Sequence, residues 1–245
     1  MYSAYDYLCD EPFYIENMGH VKCPTLRDIR KITYDLFTVY INTISMSLDT
    51  YLDICGLREG YDKLSDKEKE DTTLYNLLLF GNKEVLIGIL DLFLTDTYNF
   101  DNTNNTFIIY EDSNEIGHIG NDNFDLFREE MKCILGINAR EEKPRFKNAL
   151  AEKMYNRMQK HAEKQKKQEN QNCEFDNMIK KYCTHNKVGI NILNVWDMTY
   201  YQFTTMFAEY CNARQCDYND MMAANTFSFK KSTDYKPMAY LKPLK

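Results

Sequence analysis

The longest polar, basic, proline-free run of this 245-residue chain ends near Asn172, and a hydrophobic strip from Gly189 to Phe203 follows it. A chain patterned in this way does not close around one central core. The returning strip, which holds the single tryptophan, marks a second folded unit tethered by a charged helix. Such a layout suits a protein that holds other proteins better than an enzyme built around one pocket.

Low Gly and Pro usage, 9 and 5 residues, together with long periodic segments, predicts a mainly α protein of the α+β class. Leu26, Ile29, Ile32, Leu36, Val39, Tyr40, Thr43 and Met46 recur at intervals of three and four. That spacing predicts one helix running to about Met46, with Pro24 and Asp28 favouring its start. A shorter helix is expected over Leu48 to Cys55, closed by Gly56. Ser65 and Glu68 have the spacing of a capping box. They open a helix that carries Leu74, Leu77, Leu78 and Phe80 and ends at Gly81-Asn82. Val85 to Leu94 is the most hydrophobic helix candidate.

The Asn-rich stretch Asp101 to Asn105 interrupts the helical pattern. Phe107–Tyr110 and Ile116–Ile119, around a turn at Asp112–Asn114, then read as a small β-hairpin. A helix from Phe124 to Leu135 follows, capped by Asn121 or Asn123 and stopped by Gly136. These elements make an N-terminal helical domain with a β-hairpin, residues 1–138. Pro144 opens a long charged helical linker, residues 139–172, apolar only at Phe146, Leu150, Met154 and Met158. A small helical C-terminal unit, residues 173–245, is expected to hold helices over Phe175–Cys183 and Thr199–Cys216. A short piece near Met221 and an extended tail from Phe227 complete it.

Charge and cysteine usage exclude several classes. The net charge of −7 argues against general nucleic-acid or anionic-membrane binding. Arg140 to Asn170 carries +5, leaving −12 for the rest, an imbalance suited to contacts between copies. The basic run of Lys153, Arg157, Lys160, Lys164, Lys166 and Lys167 lacks interleaved aromatics beyond Tyr155, so it reads as a solvated helical face. The eight cysteines are scattered and the start of the chain is polar, so free thiols in a reducing compartment are expected.

No catalytic residue, cofactor or metal site is expected. Cysteines do not pair at zinc-ligand spacing. Thr106 and Asp112 stand where a calcium loop needs Gly and Glu. His20, His118, His161 and His185 fall in separate segments without a nucleophile elbow. The one candidate surface is aromatic. Trp196, Tyr200, Phe203 and Phe207, at intervals of four, three and four, are expected on one helical face. That face is first the core of the C-terminal unit, and what remains exposed is the candidate partner-binding surface. Asp197 is expected to cap the helix.

Three segments carry a family resemblance. Met18–Ile29 resembles a Gly-hydrophobic approach into a "Pro-Thr-Leu-x-x-Ile" opening. Ile119–Arg128 is similar to a hairpin passing into an "Asn-Phe-Asp-x-Phe-Arg" helix. Asn191–Phe203 is similar to a "Trp-x-Leu-Thr-x-x-Gln-Phe" segment after a charged helix. Together they resemble the tail assembly chaperone-like proteins of long-tailed phages and prophages of Gram-positive bacteria. The resemblance implies a non-enzymatic homo-oligomer of the host bacterial cytoplasm. Its implied partners are the tape-measure protein and the tail-tube protein. The alternatives are a structural component of the virion tail or neck, or a basic-helix nucleic-acid binder.

Overall fold

The computed structural model describes residues 2–137 and 174–224, so the expected charged linker and extended tail lie outside the described residues. The fold is mainly helical with two small sheets, an α+β arrangement. The chain divides into two compact units. The first comprises Met1–Ala139 with Asp197–Tyr201, and the second Arg140–Trp196 with Gln202–Lys245.

After a 3-10 turn, Asp6–Leu8, the first unit continues with a two-stranded antiparallel hairpin, β1 (Phe13–Ile15) and β2 (Gly19–Val21). Then come α1 (Leu26–Ile32) and α2 (Tyr34–Ser45), where periodicity predicts a single helix. The break is at Thr33, with φ 75° and ψ 150°. Its hydroxyl accepts the Leu36 N–H and so caps α2, while its own N–H closes α1 on Arg30. Both helices bury one face, at Leu26 and Ile29 and at Phe37, Tyr40 and Ile44, so the hydrophobic pattern runs through the break without registering it.

After α3 (Leu48–Ile54) and α4 (Arg58–Asp62), the Ser65–Glu68 capping box forms as the spacing predicts. The helix it opens is short, however: α5 spans Asp66–Asp71. Thr73 accepts the Asn76 N–H and starts a separate helix, α6 (Leu74–Gly81). The apolar helix α7 (Lys83–Phe93) supplies Leu86, Ile89, Leu90 and Phe93 to the core, all essentially inaccessible to solvent.

The expected hairpin is the second half of a three-stranded antiparallel meander: β3 (Thr97–Asp101), β4 (Thr106–Glu111) and β5 (Asn114–Ile119). The Asn-rich stretch does not interrupt structure here; it is the turn joining β3 to β4. Asp101 accepts the Thr103 N–H at 2.8 Å, and Asn105 adopts φ 54°, a conformation Asn tolerates. Tyr98 and Phe100 of β3 both pack on Phe107.

The meander meets the first hairpin where β5 runs against the β1–β2 turn. The His118 N–H donates to the Asn17 carbonyl at 2.9 Å, and a Cβ on Gly117 would lie 2.3 Å from the Asn17 backbone. Backbone cannot give way as a side chain does. Gly117→Ala is therefore expected to cost about 1–3 kcal/mol, the range of an overpacked core. Thermal unfolding followed by circular dichroism measures this; an unchanged midpoint would mean the two sheets do not approach so closely in solution.

Helix α8 (Phe124–Ile134) closes the core with Phe124, Phe127, Met131 and Ile134, and Gly136 at φ 69° ends it. Asn123 precedes it, but its side chain accepts the Gly120 N–H and gives no cap bond to the helix.

The second unit contains α9 (Phe175–His185) and the long α10 (Tyr200–Ala224), whose first residues belong to the first unit. Sequence reading places a stop near Cys216 and a separate piece near Met221. One continuous helix covers both, in keeping with the absence of Gly and Pro from Tyr200 to Ala224. The connecting loop is tied by asparagines: Asn186 accepts the Val188 and Ile190 N–H groups, and Asn194 accepts that of Asn191. Among the described residues no helix is long and apolar enough to cross a membrane.

Candidate functional site: a strip seat and an apolar face

Of the four aromatic residues singled out from the sequence, Tyr200, Phe203 and Phe207 lie on one face of α10, and Trp196 does not join them. Trp196 lies in a 3-10 turn, Val195–Asp197, before α10 begins, and its indole N–H donates to the Ile192 carbonyl at 2.9 Å. A 3-10 turn followed by extended residues leaves the 3.6-residue register, so the interval of four from Trp196 to Tyr200 has no helical meaning here. Tyr200 opens α10 within the first unit, its ring 5.1 Å from that of Phe37. Phe203 is fully buried in the second unit, and Phe207 is half-buried against it at 6.0 Å.

Asp197–Tyr201 forms a strip seated in the first unit. Thr199 pairs with Thr25 as an antiparallel bridge. The Leu26 N–H donates to the Met198 carbonyl at 2.9 Å, and the Tyr200 N–H donates to the Pro24 carbonyl at 2.8 Å. Leu26 is the first residue of α1, and its N–H has no partner within the helix. The strip supplies that partner. Asp197, expected to cap α10, is turned to Arg27: the guanidinium donates to its carboxylate at 2.6 and 3.1 Å.

The buried Cys23 thiol and aromatic packing hold the rest of the strip. Thr199 is buried beside the buried Cys23 thiol, which burial pushes up to about 11. Burial, with Tyr34 and Cys23 adding to it, pushes the Tyr200 phenol up to about 12. Tyr201 packs edge-on against Tyr7, and its ring lies at the bare backbone of Gly136. At the N-terminus of α1, Asp28 completes the capping box with Thr25. Burial acts to raise its carboxyl, but hydrogen bonds from Lys31 and Lys22 outweigh burial and hold it at about 2.

In the second unit the buried cluster is aromatic. Phe203 meets Phe175 at 5.4 Å and Tyr182 at 5.9 Å, and Tyr182 meets Tyr210 at 5.9 Å. Outside this cluster Val188, Ile192, Leu193, Tyr218, Met221 and Met222 are exposed, with Leu193 at 82% and Met221 at 66%. A cavity of about 340 Å³ opens between the end of α9 and the middle of α10, with Val188, Met206, Tyr210 and Ala213 as apolar walls and Lys187, Arg214, Glu209 and Asp217 around them. Tyr182 also lines it; burial raises its phenol, and among the described residues the buried Oη has no hydrogen-bond partner. Chemically the cavity is apolar along its walls and charged at its edges.

Sequence reading missed Arg27, the Pro24–Leu26 edge and Phe37 as a seat. Nothing local announces a pairing across 170 residues. The exposed apolar residues of the second unit were visible individually, but their exposure was not.

Comparison with known proteins gives one finding. Neither the curated proteins nor the solved structures contain a match. Residues 164–245, the C-terminal third, are similar to the family described as the YomV second domain, and that likeness points to a phage-associated protein.

Proposed function

We propose that this phage-associated protein is a non-catalytic assembly chaperone of the phage tail. It binds the tape-measure protein and recruits tail-tube subunits, as the family resemblance implies. The observation that carries the reading is the apolar surface of the second unit. Its aromatic cluster is buried, yet Leu193, Tyr218, Met221 and Met222 face solvent, and Val188, also exposed, walls a partly apolar cavity. An exposed apolar patch rimmed by polar residues is the usual mark of a protein-binding surface, and methionines adapt to irregular partners. A long helix with an apolar stripe fits such a surface as a helix laid in a groove.

Co-expression with the tape-measure protein of the same genome, followed by pull-down and sizing, is expected to yield a soluble complex with several copies of this chain. An insoluble tape measure, with this chain eluting alone or found in purified particles, would point to a virion component. Within the complex, the double substitution Leu193→Asp and Met221→Asp is expected to weaken binding by about ten-fold or more, because desolvated interface anchors carry most of the affinity. Both side chains are exposed, so helical content should not change.

A further inference from the structure

We infer that the Asp197–Tyr201 strip is an exchangeable connector, and that the seat at Pro24–Arg27 and Phe37 receives the same strip from a second copy of this chain. The strip is recognised as a separate peptide would be: a β-bridge, two backbone hydrogen bonds, one ion pair and two aromatic contacts. Its seat is incomplete without it, since the Leu26 N–H takes its acceptor from Met198. Between Ile137, the last described residue of the first segment, and the strip lie 59 residues of chain. The seat contacts named above do not depend on which copy donates the strip.

Exchanging an identical element replaces each contact by its equal, so it links copies at little cost. In dilute solution the tether favours a chain's own strip through its effective concentration. Copies crowded side by side on one long ligand remove that advantage, and strip exchange then joins neighbours. The crowding rests on the proposed function; the seat does not.

Charge reversal separates the two arrangements with no tape measure present. Arg27→Asp places two carboxylates together within a chain, and Asp197→Arg places two guanidinium groups together. When the two variants are mixed, a seat exchanged between the two variants pairs opposite charges, while a self-seated strip, or one exchanged within a single variant, pairs like charges. Both side chains are more than half exposed, 53% and 68%, so neither substitution disturbs the core. The double variant Arg27→Asp/Asp197→Arg restores the self-seated pair and serves as the folding control.

Native mass spectrometry of the 1:1 mixture is expected to show assemblies containing both variants, favoured by about ten-fold or more over assemblies of either alone, since two exposed pairs change sign together. The Leu26 amide, whose protection reports an occupied seat, is expected to exchange faster in each single variant and to slow again in the mixture. A mixture whose mass distribution and Leu26 exchange equal those of the separate variants would overturn the proposal. The tape-measure pull-down is independent of either result.

Discussion

Phe203→Ala is expected to unfold the second unit. The ring is fully buried and touches Phe175, Tyr182 and Phe207, so it joins the two helices of that unit. Truncating a buried Phe to Ala removes its transfer free energy and leaves a cavity, typically about 3–5 kcal/mol. A unit this small has little more stability than that to lose, because small domains bury a lower fraction of their surface. Hydrogen exchange by residue is the appropriate measurement. Amides of Phe175–His185 should lose protection, while those of β3 to β5, in the other unit, should keep theirs. Retained protection in α9 would mean that the cluster is held by other contacts. A loss of partner binding in a Phe203 variant therefore reports folding. The exposed Leu193 and Met221 are the positions at which binding itself can be tested.

The regular part of this fold is legible in the sequence because it depends on short-range spacing. Ser65 and Glu68 are three residues apart and form the capping box that this distance allows. Gly56 and Gly136 end helices with positive φ, where residues with a Cβ are disfavoured. At the two helix breaks that sequence reading misses, residue spacing says which face is buried but not whether the backbone continues. Thr33 breaks a helix by a backbone conformation rare for a β-branched residue, which costs about 1–3 kcal/mol and is held by its surroundings. Thr73 breaks another by capping. Thr33 lies inside an apolar period and Thr73 between a polar helical run and the apolar residues from Leu74, and at both places a cap and an interior residue look alike.

At the candidate site, burial of Phe203 was readable from the aromatic spacing, but the division of the strip was not. Trp196, Tyr200, Phe203 and Phe207 obey a helical interval on paper; only backbone geometry shows that Trp196 precedes the helix, and only the contacts show that Tyr200 packs on Phe37. The Arg27–Asp197 pair lies on two exposed side chains far apart in sequence, with no pattern to connect them. Long-range polar pairing is the part of a fold that periodicity does not encode. Here it also defines the seat that the exchange proposal depends on.

Arg128→Met is expected to destabilise the first unit by about 3 kcal/mol, since hydrogen bonds from a charged donor are worth roughly 1.5–3 kcal/mol and their buried acceptors would be left unpaired. Arg128 is the buried cation of this unit, 9% exposed, on α8. Its guanidinium donates to the Ile44 carbonyl at 2.9 Å and to the Met46 carbonyl, at the C-terminal end of α2. The last carbonyls of a helix have no partner within it, and a cation there also complements the helix dipole. The third contact, to Asp125 at 2.7 Å, involves a carboxylate that is 87% exposed, so solvent screens it. Asp125→Ala should accordingly change stability by less than about 1 kcal/mol. Arg128→Lys should recover only part of the loss, because an ammonium lacks the planar fork that reaches two carbonyls at once. Urea unfolding of the three variants would decide the matter. Equal losses in the Asp125 and Arg128 variants would place the stabilisation in the ion pair and not in the carbonyls of α2. Helix α2 also carries Phe37, the aromatic wall against which Tyr200 sits. An arginine that fixes the end of α2 therefore also steadies the seat, and Arg128→Met should raise Leu26 amide exchange as well as lower the unfolding midpoint.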